Sequence, residues 1–170
     1  MSITSSAVTP KPRVVIERRY RARPDEIWDL WTTKEGFESW WGPRGFRVEV
    51  HSLEARVGGA LHYDMIADSP EHIEAMVRLG QPTRHETRGT FVIVDLHRRL
   101  AITHLIDFLP GVAAYESTML VELFPSGPLT RMVVTLDPMH ADQFTEMQKE
   151  GFISQLTKLD ERFGVGAEPS

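Results

Sequence analysis

Residues Asp142–Phe163 read DQFTEMQKEGFISQLTKLDERF, and this stretch decides the fold. At about 100° per residue, Phe144, Met147, Gly151, Phe152, Leu156, Leu159 and Phe163 fall on one broad side, while Glu146, Lys149, Glu150, Asp160 and Glu161 fall on the other. The period predicts one long amphipathic helix, and no other segment carries so long a helical repeat. Short runs with strand character fill most of what precedes it, so the helix must bury its stripe against the sheet they form. Two features break the stripe. Gln148 and Gln155 lie inside it, and a buried amide without partners costs about 1–3 kcal/mol, so each must meet a strand group, water or a ligand. Gly151 sits in its middle at a cost of about 1 kcal/mol relative to alanine. Either a strand residue approaches closely there, or the glycine widens a cavity. The half with Leu156, Leu159 and Phe163 reads as an anchor. The half with Phe144, Met147, Gln148, Gly151 and Phe152, with Gln155 at its edge, reads as the lid of a cavity.

Working outward, residues 13–20 (RVVIERRY) are β-branched and alternating, a first strand. Pro24, Asp25 and Glu26 then suit the first turn of a short helix carrying Ile27, Trp28, Leu30 and Trp31. Thr33 can cap a second short helix over 34–41, which ends at Gly42-Pro43. Six further strands are expected at 46–53, 60–66, 89–96, 100–108, 115–124 and 130–136. Gly or Pro, or a short charged turn, separates most of them, which favours antiparallel hairpins over crossovers. The exception is the polar piece 68–88, where Ser69-Pro70-Glu71 resembles a helix start and Gly80 a stop. It predicts an inserted helix over one edge of the sheet. The order gives an α+β helix-grip fold: a seven-stranded curved antiparallel sheet wrapped round the C-terminal helix, with two short helices after the first strand. So wide a sheet cannot close fully on one helix, and a cavity between them is expected.

The 170 residues suit a single domain over 13–164, with a disordered tail at 1–12 and a short flexible one at 165–170. A net charge of −5 argues against a nucleic-acid partner. With no cysteine there is no disulfide framework, thiolate nucleophile or cysteine metal site. No apolar run approaches the roughly 20 residues that span a bilayer. Residues 1–12 lack the apolar core of a signal peptide, and a cytoplasmic location is expected.

Four stretches, PDEIWDLWTTKEGFESWWGP (24–43), VGGALHY (57–63), GTFVIVDLHRRLAITH (89–104) and GFISQLTKL (151–159), together resemble the AHSA-type branch of the START-like (SRPBCC) superfamily. That branch is named for activators of the heat-shock protein 90 ATPase and shares the fold of the birch-pollen allergen. The resemblance runs from Arg13 to Phe163 and implies a fold with an internal hydrophobic cavity. It fixes no activity, because the superfamily holds lipid carriers, hormone receptors, polyketide cyclases, self-sacrificing resistance proteins and co-chaperones.

Within that frame, Trp28, Trp31, Trp40 and Trp41 either form an aromatic wall for a ligand or anchor two very short helices to the sheet. His104 alternates with Leu100, Ile102 and Ile106 and faces inward, as a hydrogen-bonded core residue or an orienting group. Tyr115 and Ser117 share the inward register of the next strand, and Tyr63 lies inward between Leu61 and Met65. These groups either converge on a pocket or bond to one another and to buried water. The expected lining is Trp31, Trp40, Tyr63, His104, Tyr115, Ser117, Phe144, Met147, Gln148 and Phe152, with entry beside 69–80 and Pro110-Gly111. The expected ligand is a small hydrophobic or amphipathic molecule, and the binding is expected to be non-catalytic. No cofactor and no metal are expected, since His62-x-Asp64 and His140-x-Asp142 match no strong ligand spacing. The alternative is a cyclase or hydrolase using His104 as general acid or base and Tyr115 as phenolic donor. A third reading is a chaperone-binding module, which ranks last because no exposed apolar stripe is evident. Homodimerisation through an exposed strand or the insert is compatible with the pattern.

Overall fold

The structure is a computed structural model that describes residues 12–107 and 111–164. The expected tails lie outside the described residues apart from Pro12, as do Phe108 at the end of an expected strand and Pro110 at the expected entry.

Strand β1 (Val14–Tyr20) leads into α1 (Pro24–Thr32) and α2 (Lys34–Glu38), followed by β2 (Phe46–Leu53) and β3 (Ala60–Ala67). Helix α3 (Pro70–Arg78) comes next, then β4 (Arg84–Asp95), β5 (Arg99–Ile106), β6 (Tyr115–Ser126), β7 (Leu129–Leu136) and α4 (Asp142–Phe163). The strands form one seven-stranded sheet in the order β1-β7-β6-β5-β4-β3-β2, and every neighbouring pair is antiparallel. The expected helix-grip arrangement is present, with α4 laid against the sheet. Among the described residues no helix is long and apolar enough to cross a membrane.

Local chemistry sets the short helices. Pro24 opens α1, and the Glu26 side chain accepts from the Arg23 backbone N–H at 2.8 Å. The Thr33 hydroxyl accepts from Gly36 N at 3.0 Å to start α2. A Cβ on Gly36 would run into the Asp29 carbonyl, so glycine lets the two helices meet. Helix α2 stops at Glu38, short of the expected Trp41. There the Ser39 hydroxyl takes the Gly36 carbonyl at 2.6 Å, and the Trp40 indole turns back to donate to Leu30 O at 2.9 Å.

Strand β4 starts five residues earlier than its apolar pattern predicts. Residues 84–88 pair with β3, and the Arg84 guanidinium grips Asp64 at 2.6 Å on the outer face. Their inward partners are His85 and Thr87, which line a cavity instead of packing, so no hydrophobic alternation marks them. The inserted helix α3 is also real, and its His72 packs against Phe46 of edge strand β2 at 5.2 Å. None of its residues is buried. Ile73, Val77 and Leu79 therefore stand exposed, which corrects the expectation that no apolar stripe reaches the surface.

The core lies between the inner sheet face, the α1–α2 pair and the C-terminal half of α4. Leu156 and Leu159 are fully buried within it. Phe163 meets Tyr20 at 5.7 Å, and the Tyr20 hydroxyl donates to Asp160 at 2.7 Å.

Candidate functional site

Toward the N-terminal half of α4 the sheet and helix part, leaving a cavity of about 250 Å³. The period of two along β5 builds its floor: Leu100 and Ile102 are buried in the core, whereas His104 and Ile106 reach the cavity. Ser117 faces it from β6, directly opposite His104 in the ladder. Tyr63 on β3 links this wall to the tryptophan cluster. The Trp41 indole donates to the Tyr63 hydroxyl at 3.0 Å, and that hydroxyl lies 3.2 Å from His104 Nε2. An indole N–H can only donate, so the chain runs from Trp41 to Tyr63, whose own proton is available to Nε2.

Burial governs the charge states here. It pushes the His104 imidazole down to about 4 and the Tyr63 phenol above its ordinary range. Both are neutral at pH 7, and neither is tuned for proton transfer there. The lining has no Asp, Glu, Lys or Arg among the described residues.

Helix α4 supplies the opposite wall through Gln148, Gly151, Phe152 and Gln155. Gln155 Oε1 accepts from Gly42 N at 2.9 Å, and the rest of the 42–46 loop is fastened to the same helix. Arg44 N donates to Ser154 Oγ at 3.0 Å, and Lys158 Nζ donates to Gly42 O at 2.8 Å. Gln155 is nevertheless half satisfied: its Nε2 is buried without a partner among the described residues, as is Oε1 of Gln148. A Cβ built on Gly151 would meet nothing within 4 Å. The glycine therefore faces open space, and no strand residue crowds it.

Of the residues expected to line the site, Tyr63, His104, Ser117, Gln148 and Phe152 do so. Trp31 and Trp40 do not; they pack against each other at 5.0 Å in the buried cluster that holds α1 and α2. Tyr115 turns away to a separate group, with its hydroxyl 3.0 Å from His140 Nδ1 and 3.6 Å from Met139 Sδ. Phe144 meets that same His140 in a tilted ring contact at 4.7 Å. Met147 is 62% exposed. It lies about 140° round the helix from Phe152, beyond the buried arc, so its place in the stripe is corrected.

Trp41, Met65, His85, Thr87 and Gln155 were missing from the expected lining and are part of it. For His85 and Thr87 the usable signal is register: they alternate with Gly89 and Phe91 once β4 is extended backwards. For Gln155 it is the stripe position itself. A larger concavity of about 950 Å³ lies at the opposite end of β5, beside His97 and Arg98. It is a surface hollow of mixed charge, with Arg23 and Asp25 already paired at 3.1 Å. Among the described residues no group of three His, Asp or Glu could hold a metal.

The family described as Activator of Hsp90 ATPase homolog 1-like protein matches residues 21–164. No curated protein matches the sequence. Among solved structures, a protein of Chromobacterium violaceum is similar with a TM-score of 0.70 and 18% identity, covering 90% of this chain and 98% of that one. The AHSA1 protein of Silicibacter pomeroyi has a TM-score of 0.70 and 19% identity, covering 89% of this chain and 96% of that one. A protein of Arthrobacter aurescens has a TM-score of 0.70 and 20% identity, covering 87% and 83% respectively. At these identities the likeness is one of fold. The family match, by contrast, spans most of the sequence, and the chain belongs to the Activator of Hsp90 ATPase homolog 1-like family.

Proposed function

We propose that this protein binds a small amphipathic molecule in the cavity between β3–β6 and α4, without turning it over. One observation carries the reading: Gln155 lines the cavity, and its amide nitrogen is buried without a partner among the described residues, while Gly42 holds the other end of the same amide. A buried donor with no acceptor is destabilising, so the arrangement suits a group that arrives from outside. Gly151 supports the same reading, since it lines the cavity and leaves open the space that a larger side chain would fill. The catalytic alternative loses its second residue, because Tyr115 is engaged by His140 and Met139.

Native mass spectrometry of the protein as purified tests this directly. The wild type is expected to carry a discrete small-molecule adduct, and Gly151→Leu, which fills the gap, is expected to lose it. Identical spectra for the two proteins would overturn the assignment.

A second reading, a partner-binding module in keeping with the family description, draws on the exposed Ile73 and Val77 of α3 and Leu79 just after it. It predicts capture by purified 90-kDa heat-shock protein that Val77→Glu abolishes. Absence of capture by the wild type would remove it.

A further inference from the structure

We infer that the cavity takes an uncharged, single-ring-sized molecule presenting a hydrogen-bond acceptor, a carbonyl or carboxamide oxygen, to the Gln155 NH₂ group. This rests on the binding reading above and narrows it to a ligand class.

Size comes first. A volume of 250 Å³ equals about eight water molecules at roughly 30 Å³ each, enough for one ring with a short substituent. The ring has a natural seat. Gly151 lies between Gln148 and Gln155 on α4, and it lines the cavity together with Trp41 and Phe152, whose rings meet edge to face at 6.0 Å.

Charge comes second. The described lining offers no cation to a carboxylate and no anion to an ammonium group. Burial holds both lining histidines, His104 and His85, below the ordinary histidine range, so they are neutral at pH 7 and supply neither. A charged ligand group at that depth would be desolvated without an ionic partner, which is heavily penalised.

Polarity comes third, and here the backbone decides which end of the amide faces the ligand. Gly42 N–H can only donate, so Gln155 must turn Oε1 to it, which leaves Nε2 as the unpartnered end of a side chain that lines the cavity. The loop cannot readily shift to release it, since Lys158 holds the Gly42 and Phe46 carbonyls at 2.8 and 3.4 Å. Arg44 adds its own bonds to Ser154 Oγ and Thr157 Oγ1 at 3.0 and 2.8 Å. Gln155 therefore presents donors and selects an acceptor. Gln148 has no such lock on its amide, and it can meet a second polar group of either kind.

Calorimetry at pH 7 with four probes of one size tests this: benzamide, benzoate, benzylamine and toluene. Benzamide is expected to bind at least ten-fold more tightly than the other three. Gln155→Met should erase its advantage over toluene. Gln155→Glu, which keeps an acceptor for Gly42 N–H and so protects the loop, should weaken benzamide at least ten-fold. Benzoate or benzylamine matching benzamide would overturn the uncharged assignment. Toluene matching it, or unchanged benzamide affinity in both variants, would overturn the acceptor assignment while binding itself stands. If no probe binds, a wild type that carries an adduct in native mass spectrometry overturns the ligand class alone, and a bare wild type overturns both readings.

Discussion

From Phe152 to Phe163, α4 is fastened to the rest of the molecule; from Phe144 to Gly151 it merely covers it. The C-terminal half buries Leu156 and Leu159 completely, shares a hydrogen bond with Tyr20, and is tied to the 42–46 loop by Gln155, Ser154, Thr157 and Lys158. The N-terminal half exposes Met147, leaves Oε1 of Gln148 without a partner among the described residues and puts a glycine against empty space. One helix thus does two jobs. Its far half gives the fold its stability, and that stability lets the near half stay poorly packed around a cavity.

Substitution should separate the halves cleanly. Leu159→Ala removes a fully buried side chain and is expected to cost about 3 kcal/mol in denaturant unfolding. A cost below about 1 kcal/mol would show that the far half is not the anchor.

Acid should act on the cavity side. His104 titrates at about 4 in the folded protein, below its ordinary 6.5, so the unfolded chain takes up a proton first as pH falls. Stability is then whole above pH 6.5 and declines from there down through pH 4, with roughly 2 kcal/mol gone at pH 5 from this group. His104→Gln should flatten that decline in unfolding curves recorded at several pH values. An equal decline in wild type and variant would assign the acid sensitivity elsewhere.

Gly151→Ala should move the other way. The new Cβ meets nothing and gains helix propensity, so the variant is expected to be about 1 kcal/mol more stable. A loss of stability would mean that the space is not open. Met147→Ala should change stability by less than about 0.5 kcal/mol, as for any exposed site away from special contacts. A larger cost would place Met147 in the packing after all.

The fold was legible because it rests on period. The stretches of strand, turn and helix announced themselves through alternation, Gly and Pro, and α4 was readable from its first residue to its last. The cavity was legible only where polar residues interrupted an apolar pattern, as at His104, Ser117, Gln148 and Tyr63. Where a strand had no apolar pattern to interrupt, as at His85 and Thr87, only their alternation with Gly89 and Phe91 separates cavity wall from loop. Tyr115 shows a different limit. Register put it on the inner face, but its hydroxyl found His140 and Met139 on a segment whose approach no local pattern encodes. Met147 shows a simpler one: an apolar residue too far round the helix from Phe152 was included because of its type.

The central claim is that Gln155 and Gln148 border a cavity kept for a ligand. A high-resolution crystal structure of the protein as purified tests it most directly. The account predicts continuous density over Gly151, larger than a water molecule, with an acceptor within about 3 Å of Gln155 Nε2. A collapsed cavity, with Gln155 Nε2 and Gln148 Oε1 both bonded to protein groups, would contradict it.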